Sequence, residues 1–180
     1  MLSRFDELKL IALCIANDNR NAFGQLVIAY EQGVRRFLFN LTADEALTND
    51  LAQETFLKAY LAIRSFQGLS QFKTWLYRIA YNEFLTHRRS QHNFSNEIPP
   101  DNESISPTIA TDTRLTIECC LSQLSEIERT IIILFYIEDI PIKKIAEITQ
   151  LPQGSIKSHL HRAKSRMRQF LENDSKINAK

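Results

Sequence analysis

The sequence predicts an all-α protein made of two small helical domains joined by a flexible acidic linker. Three observations carry that prediction. Apolar residues recur three and four apart in four stretches before residue 92 and in four more after residue 113, the spacing of one helix face. Only 4 Gly and 5 Pro stand among 180 residues of which 44% are hydrophobic, a composition that folds and favours helix. Residues 90–113 hold three of those five Pro and break every periodic pattern, while no stretch alternates as a strand does.

The first helix is expected from about Asp6 to Asn17. The second begins near Asn21 and places Phe23, Leu26, Val27, Tyr30, Val34, Phe37, Leu38 and Leu41 on one side. The third starts around Asp44, with Leu51, Thr55, Phe56, Ala59, Tyr60 and Ile63 inward. A turn containing Gly68 leads into the fourth, whose stripe is Phe72, Trp75, Leu76, Ile79 and Ala80. Trp75 shares that apolar face, which makes it core, and leaves Tyr77 and Tyr81 as candidates for exposed aromatic contacts. The domain boundaries follow as 1–92, a linker over 93–112, and 113–175. The linker's Pro, Ser, Asn and Asp cannot bury enough surface to offset ordering entropy.

Beyond the linker, helices are expected at about Arg114–Gln123, Glu126–Tyr136, Ile142–Ile148 and Gln153–Phe170. Ser125 and Glu128 stand in the S-x-x-E spacing of a capping box. Ala146 is placed on the inner side of the third of these helices, where a small residue lets two helices cross closely. On the last helix Ile156, Leu160, Ala163, Met167 and Phe170 form the seam, and Lys157, Ser158, His161, Arg162, Ser165 and Arg166 face away from it. Five Lys or Arg and no acidic residue lie between Glu147 and Glu172. A helix with that outer face suits phosphate, and the last two helices together have the look of a helix-turn-helix.

The formal charge of +1 conceals unevenness: 11 basic and 9 acidic residues over 1–94, 1 and 5 over 95–118, and 10 and 7 over 119–180. Local positive charge, not the total, is what nucleic acid responds to. Cys14, Cys119 and Cys120 form no disulfide framework and have no His at metal-ligand spacing, so neither zinc nor another metal or cofactor is expected. The longest apolar run, Ile131 to Ile137, is far short of the ~20 residues of a membrane span. A reducing cytoplasm fits, without membrane insertion.

The string LSEIERTIIILFYIEDIPIKKIAEITQLPQGSIKSHLHRAKSRMR resembles the fourth conserved region of the extracytoplasmic-function (ECF, group IV) subfamily of bacterial sigma-70 factors. The matching positions are Leu124, Ser125 and Arg129, then Lys144, Ile145 and Ala146, then Pro152, Gly154, Ser155, Ile156, Lys157, Ser158, His159, Arg162 and Ala163. Asp50 to Ala59, DLAQETFLKA, resembles the second conserved region, and Phe66-Gln67-Gly68, Phe72 to Asn82 and Arg88-Arg89 resemble the segment that melts promoter DNA. The resemblance covers about residues 20–170, with Thr86 where Asp is usual, His159 where Arg is usual, and Gln150 where a turn Gly is usual.

The resemblance implies a non-enzymatic promoter-specificity subunit of RNA polymerase. It implies that Asp50, Gln53, Glu54 and Lys58 meet core polymerase at the β′ paired helices, with the β flap as a further contact. It implies that Lys73, Arg78, Tyr81, Asn82, Arg88 and Arg89 handle the opened −10 region. Upstream, at the −35 element, it implies Gly154, Ser155, Lys157, Ser158, His159, His161, Arg162, Ser165 and Arg166 as the DNA face. Promoter DNA, core polymerase and an anti-sigma factor are the implied partners. A stand-alone helix-turn-helix regulator is the alternative, and it leaves the polar face of Asp50–Lys58 and the stripe Arg78, Asn82, Thr86, Arg89 without a role. A nucleic-acid enzyme would need clustered carboxylates or an activated nucleophile, and the carboxylates here are scattered.

Overall fold

The computed structural model describes residues 2–95 and 119–177, and these form helices with no strand among them. The chain divides into two compact units, Met1–Pro99 and Pro100–Lys180.

In the first unit the first three helices each open on a side-chain cap. Ser3 precedes α1 (Arg4–Asn17), Asn19 precedes α2 (Arg20–Thr42) and Asp44 precedes α3 (Glu45–Ala62), and each accepts a hydrogen bond from a first-turn backbone N–H. Asp18 and Ala43 stop α1 and α2 in the left-handed conformation, each donating its N–H to a carbonyl of the last turn. A single 3-10 turn, Ile63–Ser65, follows α3. Gly68, at φ 69°, then makes the bend that admits α4 (Phe72–Ser95). α2, α3 and α4 pack together around Leu26, Val34, Phe37, Leu38, Ala59, Leu76, Tyr77 and Ala80, all buried.

One expectation about packing needs correcting here, and one helix runs longer than its apolar pattern. α4 extends to Ser95, into the first three residues of the expected linker. Polar residues alone do not end a helix, because each further residue adds a hydrogen bond at low cost until a breaker intervenes, and the next Pro is Pro99. The rest of the expected linker, and the first half of the helix expected at 114–123, lie outside the described residues. Tyr77 and Tyr81 are buried, and it is Trp75 that is partly exposed. Both Tyr belong to a second inward stripe with Ala80 and Phe84, so α4 buries a wider face than one apolar seam suggests. Trp75 caps that core at its rim, its ring centroid 5.2 Å from Phe66 and 5.5 Å from Phe72.

The described part of the second unit begins with a helical turn at 119–122 and α5 (Glu126–Ile132), which continues into a π turn, Ile133–Ile137. A regular helix was expected to Tyr136. Five consecutive residues, Thr130 to Leu134, are buried together where the ladder begins to widen, more than one-sided α-helical packing allows. α6 (Ile142–Thr149) buries Ile145, Ile148 and Thr149, while Ala146 lies at the edge of that face instead of in it. α7 (Gln153–Ile177) buries Ile156, Leu160 and Ala163, with Met167 only partly covered.

Between α6 and α7 Gln150 sits at φ 61°, the conformation for which the turn position favours Gly. Its side-chain Nε2 donates to the Glu147 carbonyl at 2.8 Å, satisfying one orphan group of the helix end. That exposed bond offsets little of the strain. Gln150→Gly is therefore expected to stabilise the second unit by about 0.5–1 kcal/mol, read as a higher melting temperature. A lower one would mean that the side-chain bond outweighs the backbone term.

Candidate nucleic-acid interface and partner-binding face

α7 starts directly after Pro152, and its buried seam of Ile156, Leu160 and Ala163 turns the polar side chains outward. Gly154, Lys157, Ser158, His161, Arg162, Ser165 and Arg166 are exposed, and Ser155 and His159 are partly so. Ser158 donates to the Gly154 carbonyl at 3.0 Å, within the first turns. A Cβ added to Gly154 would meet nothing within 4 Å, so the chain's own packing does not require glycine there.

The basic face is less free than the sequence suggests. Arg166 Nη1 lies 2.6 Å from Glu128 Oε2, and Arg162 Nε lies 3.5 Å from Glu128 Oε1. Arg162 Nη2 also donates to His159 Nδ1 at 2.9 Å. Glu128 is the third residue of α5, and with Ser125 it closes the expected capping box. Burial would raise its carboxyl, but hydrogen bonds from Ser125 and the charges of Arg166 and Arg162 outweigh that and hold it below its usual range. Sequence reasoning found the capping half of this arrangement and missed the clamp.

On α4, Arg78, Asn82, Thr86 and Arg89 are all exposed, as their spacing requires, and Arg88 is exposed beside them. Thr86 turns its hydroxyl back to the Asn82 carbonyl at 2.8 Å. Lys73 is partly covered, its ammonium 5.4 Å from the Tyr77 ring centre. Tyr81, expected in this group, is buried and is removed from the exposed face.

On α3, Asp50 and Gln53 are exposed and Glu54 is partly covered. Lys58 points to α4, where its Nζ is 2.6 Å from Glu83 Oε2, with Glu54 Oε1 at 3.6 Å. The bond to the well-covered Glu83 raises the Lys58 pKa. Lys58 thus ties two helices together as much as it faces outward. Leu57 and Leu61 extend the line of Asp50 and Gln53 and are 52% and 71% exposed. Together they leave an exposed apolar strip on a helix otherwise well packed. Their i, i+4 spacing was visible in the sequence, but the count of apolar residues on α3 exceeds one face, and nothing in the sequence says which are left over.

Residues 26–94 match sigma-70 region 2, and residues 114–167 match sigma-70 region 4. The chain is 31% identical to the ECF RNA polymerase sigma factor SigM of Bacillus subtilis (strain 168), over 77% of this chain and 88% of the relative. It belongs to the ECF sigma factors of the sigma-70 family. It is also 30% identical to the ECF RNA polymerase sigma-E factor of Haemophilus influenzae, over 88% and 90% of the two chains. Among solved structures it resembles the sigma factor RpoE of Bartonella quintana, crystallised with the anti-sigma factor NepR. That likeness has a TM-score of 0.72 and 28% identity, over 83% of this chain and 96% of that one. As an RNA polymerase sigma factor the chain is a transcription initiation factor, and its two matched regions fall one within each of its two compact units. Among the described residues no helix is long and apolar enough to cross a membrane.

Proposed function

We propose that this sigma factor divides promoter recognition among three surfaces. The first unit joins core RNA polymerase through Asp50, Gln53 and Glu54 on α3, the β′ paired helices being the matching site, with Leu57 and Leu61 adding apolar area. The exposed stripe Arg78, Asn82, Arg88 and Arg89 on α4 holds the separated strand at the −10 element, its cations on phosphates and Asn82 within reach of an unstacked base. The second unit places α7 in the major groove at the −35 element, and the β flap carries that unit on polymerase. Gly154 supports this placement: it leaves the start of α7 bare, so backbone N–H groups can approach a phosphate closely.

An anti-sigma factor is a further partner of this reading, as for the Bartonella quintana relative, and the cytoplasm is where such a protein would work. The observation that carries the proposal is the single exposed line of Asp50, Gln53, Leu57 and Leu61, since a free-standing DNA-binding protein has no use for it.

Replacing Gln53 and Glu54 together with Ala is expected to weaken binding to core polymerase by roughly tenfold or more, the scale of a well-placed interface pair. The melting temperature should hold, because neither side chain is buried. Surface plasmon resonance on immobilised core polymerase measures the first and circular dichroism the second. Unchanged polymerase binding, together with tight and specific duplex binding by the isolated chain, would favour the stand-alone regulator.

A further inference from the structure

Glu128 has a nearly closed-off side chain, at 3% exposure, and touches two cations of the proposed DNA helix. Its Oε2 accepts from Ser125 Oγ at 2.8 Å, from Ser125 N at 3.3 Å and from Arg166 Nη1 at 2.6 Å. Its Oε1 faces Arg162 Nε at 3.5 Å. The two arginines are four residues apart on α7, so one carboxylate spans a full turn of that helix. Both keep about half of their side-chain surface in the open, 55% for Arg162 and 51% for Arg166. A guanidinium held on one edge has lost most of its rotamer freedom before any partner arrives, and its other edge remains available to donate.

We propose that Glu128 is a positioning residue for upstream promoter recognition. It fixes Arg162 in one orientation for reading a base edge, with His159 bracing the same guanidinium, and it makes Arg166 a strut between α7 and α5 in place of a freely mobile phosphate contact. Specificity at the −35 element then depends on a buried carboxylate that DNA cannot touch. The inference rests on α7 being the helix that meets DNA.

Neutralising Glu128 removes a negative charge and frees two cations. Glu128→Gln should therefore lower discrimination while leaving non-specific attraction equal or greater. The test uses holoenzyme reconstituted from core polymerase and the full chain, on a promoter fragment recovered from genomic DNA by run-off transcription. The quantity measured is the ratio of affinities for that fragment and for the same fragment with its upstream element scrambled. For E128Q that ratio is expected to fall about tenfold, the worth of one well-held base contact. The slope of log affinity against log salt should steepen by up to about one counterion.

Three further variants separate the possibilities. Ser125→Ala removes the cap hydroxyl but keeps the carboxylate between the arginines, so it should lower the melting temperature and retain the ratio. Arg162→Ala combined with E128Q should lose no more discrimination than R162A alone, because the carboxylate acts through that arginine. Additive losses in that pair, an unchanged ratio in E128Q, or an equal fall of the ratio in S125A would each overturn the proposal. Lys157→Ala tests the underlying placement of α7. If it weakens upstream binding while E128Q does not, only the positioning role fails; if it has no effect, the DNA-facing assignment fails and the positioning role fails with it.

Discussion

Phe37→Ala is expected to destabilise the first unit by about 3–5 kcal/mol, the cost of deleting a fully enclosed aromatic side chain. Phe37 has no exposed surface, and its ring lies 5.2 Å from that of Tyr77, so the substitution removes both area and an aromatic pair. It also opens the junction of α2 with α4, beneath the stripe that carries Arg78 and Asn82. A unit of this size loses roughly 4–8 °C of melting temperature per kcal/mol, so the shift should exceed ten degrees. The second unit has its own core, with Ile131, Ile133, Leu134, Ile145 and Ile156 enclosed, and its transition should stay where it is. Differential scanning calorimetry reads both. Equal movement of two transitions, or one merged transition, would show that the units do not unfold independently.

The parts of this fold that were legible in the sequence are those set by neighbours within a turn or two. Ser125 and Glu128 declare a cap because the two groups are three residues apart and meet on forming the first turn. Gln150 is marked as a left-handed position by the resemblance, which places a turn Gly there, and it does sit at φ 61°. The outward stripe of Arg78, Asn82, Thr86 and Arg89 follows from helical period alone. Errors arose where one helix touches more than one neighbour. Tyr77 and Tyr81 lie off the strongest apolar seam of α4 yet meet a second packing surface, and periodicity has no means of counting neighbours.

The candidate site shows the same limit. Which residues of α7 point outward was readable from spacing, but which of them are already engaged was not. Arg166 and Glu128 are 38 residues apart, and Lys58 and Glu83 are 25 apart, so no local pattern pairs them. The consequence is chemical as well as structural: a charge counted toward DNA affinity in the sequence is partly neutralised within the unit that carries it. Leu57 and Leu61 are the converse case, apolar residues that a core count would place inside and the structure leaves outside.

Separating the two units is expected to abolish most activity without unfolding either. Each holds a complete set of buried residues, and the chain divides between Pro99 and Pro100. Fragments 1–99 and 100–180 should therefore keep their helical content and melt as single units. On the proposed reading the intact chain would engage three surfaces in one molecule, so that with α3 docked the second unit would search for the upstream element at an effective concentration set by its tether. Losing that tether costs about 10²–10⁴ in combined affinity without removing a single contact. At concentrations where the intact chain saturates core polymerase, the mixed fragments should give transcription reduced by roughly a hundredfold or more, on the same arithmetic. Raising the concentration of fragment 100–180 alone should recover part of the loss, because mass action replaces the tether. Full activity of the mixed fragments at equal concentration would mean that the units need no connection on the enzyme. Loss of helical content in fragment 100–180 would mean instead that its core depends on the first unit, and that a second unit folding on its own was the wrong description.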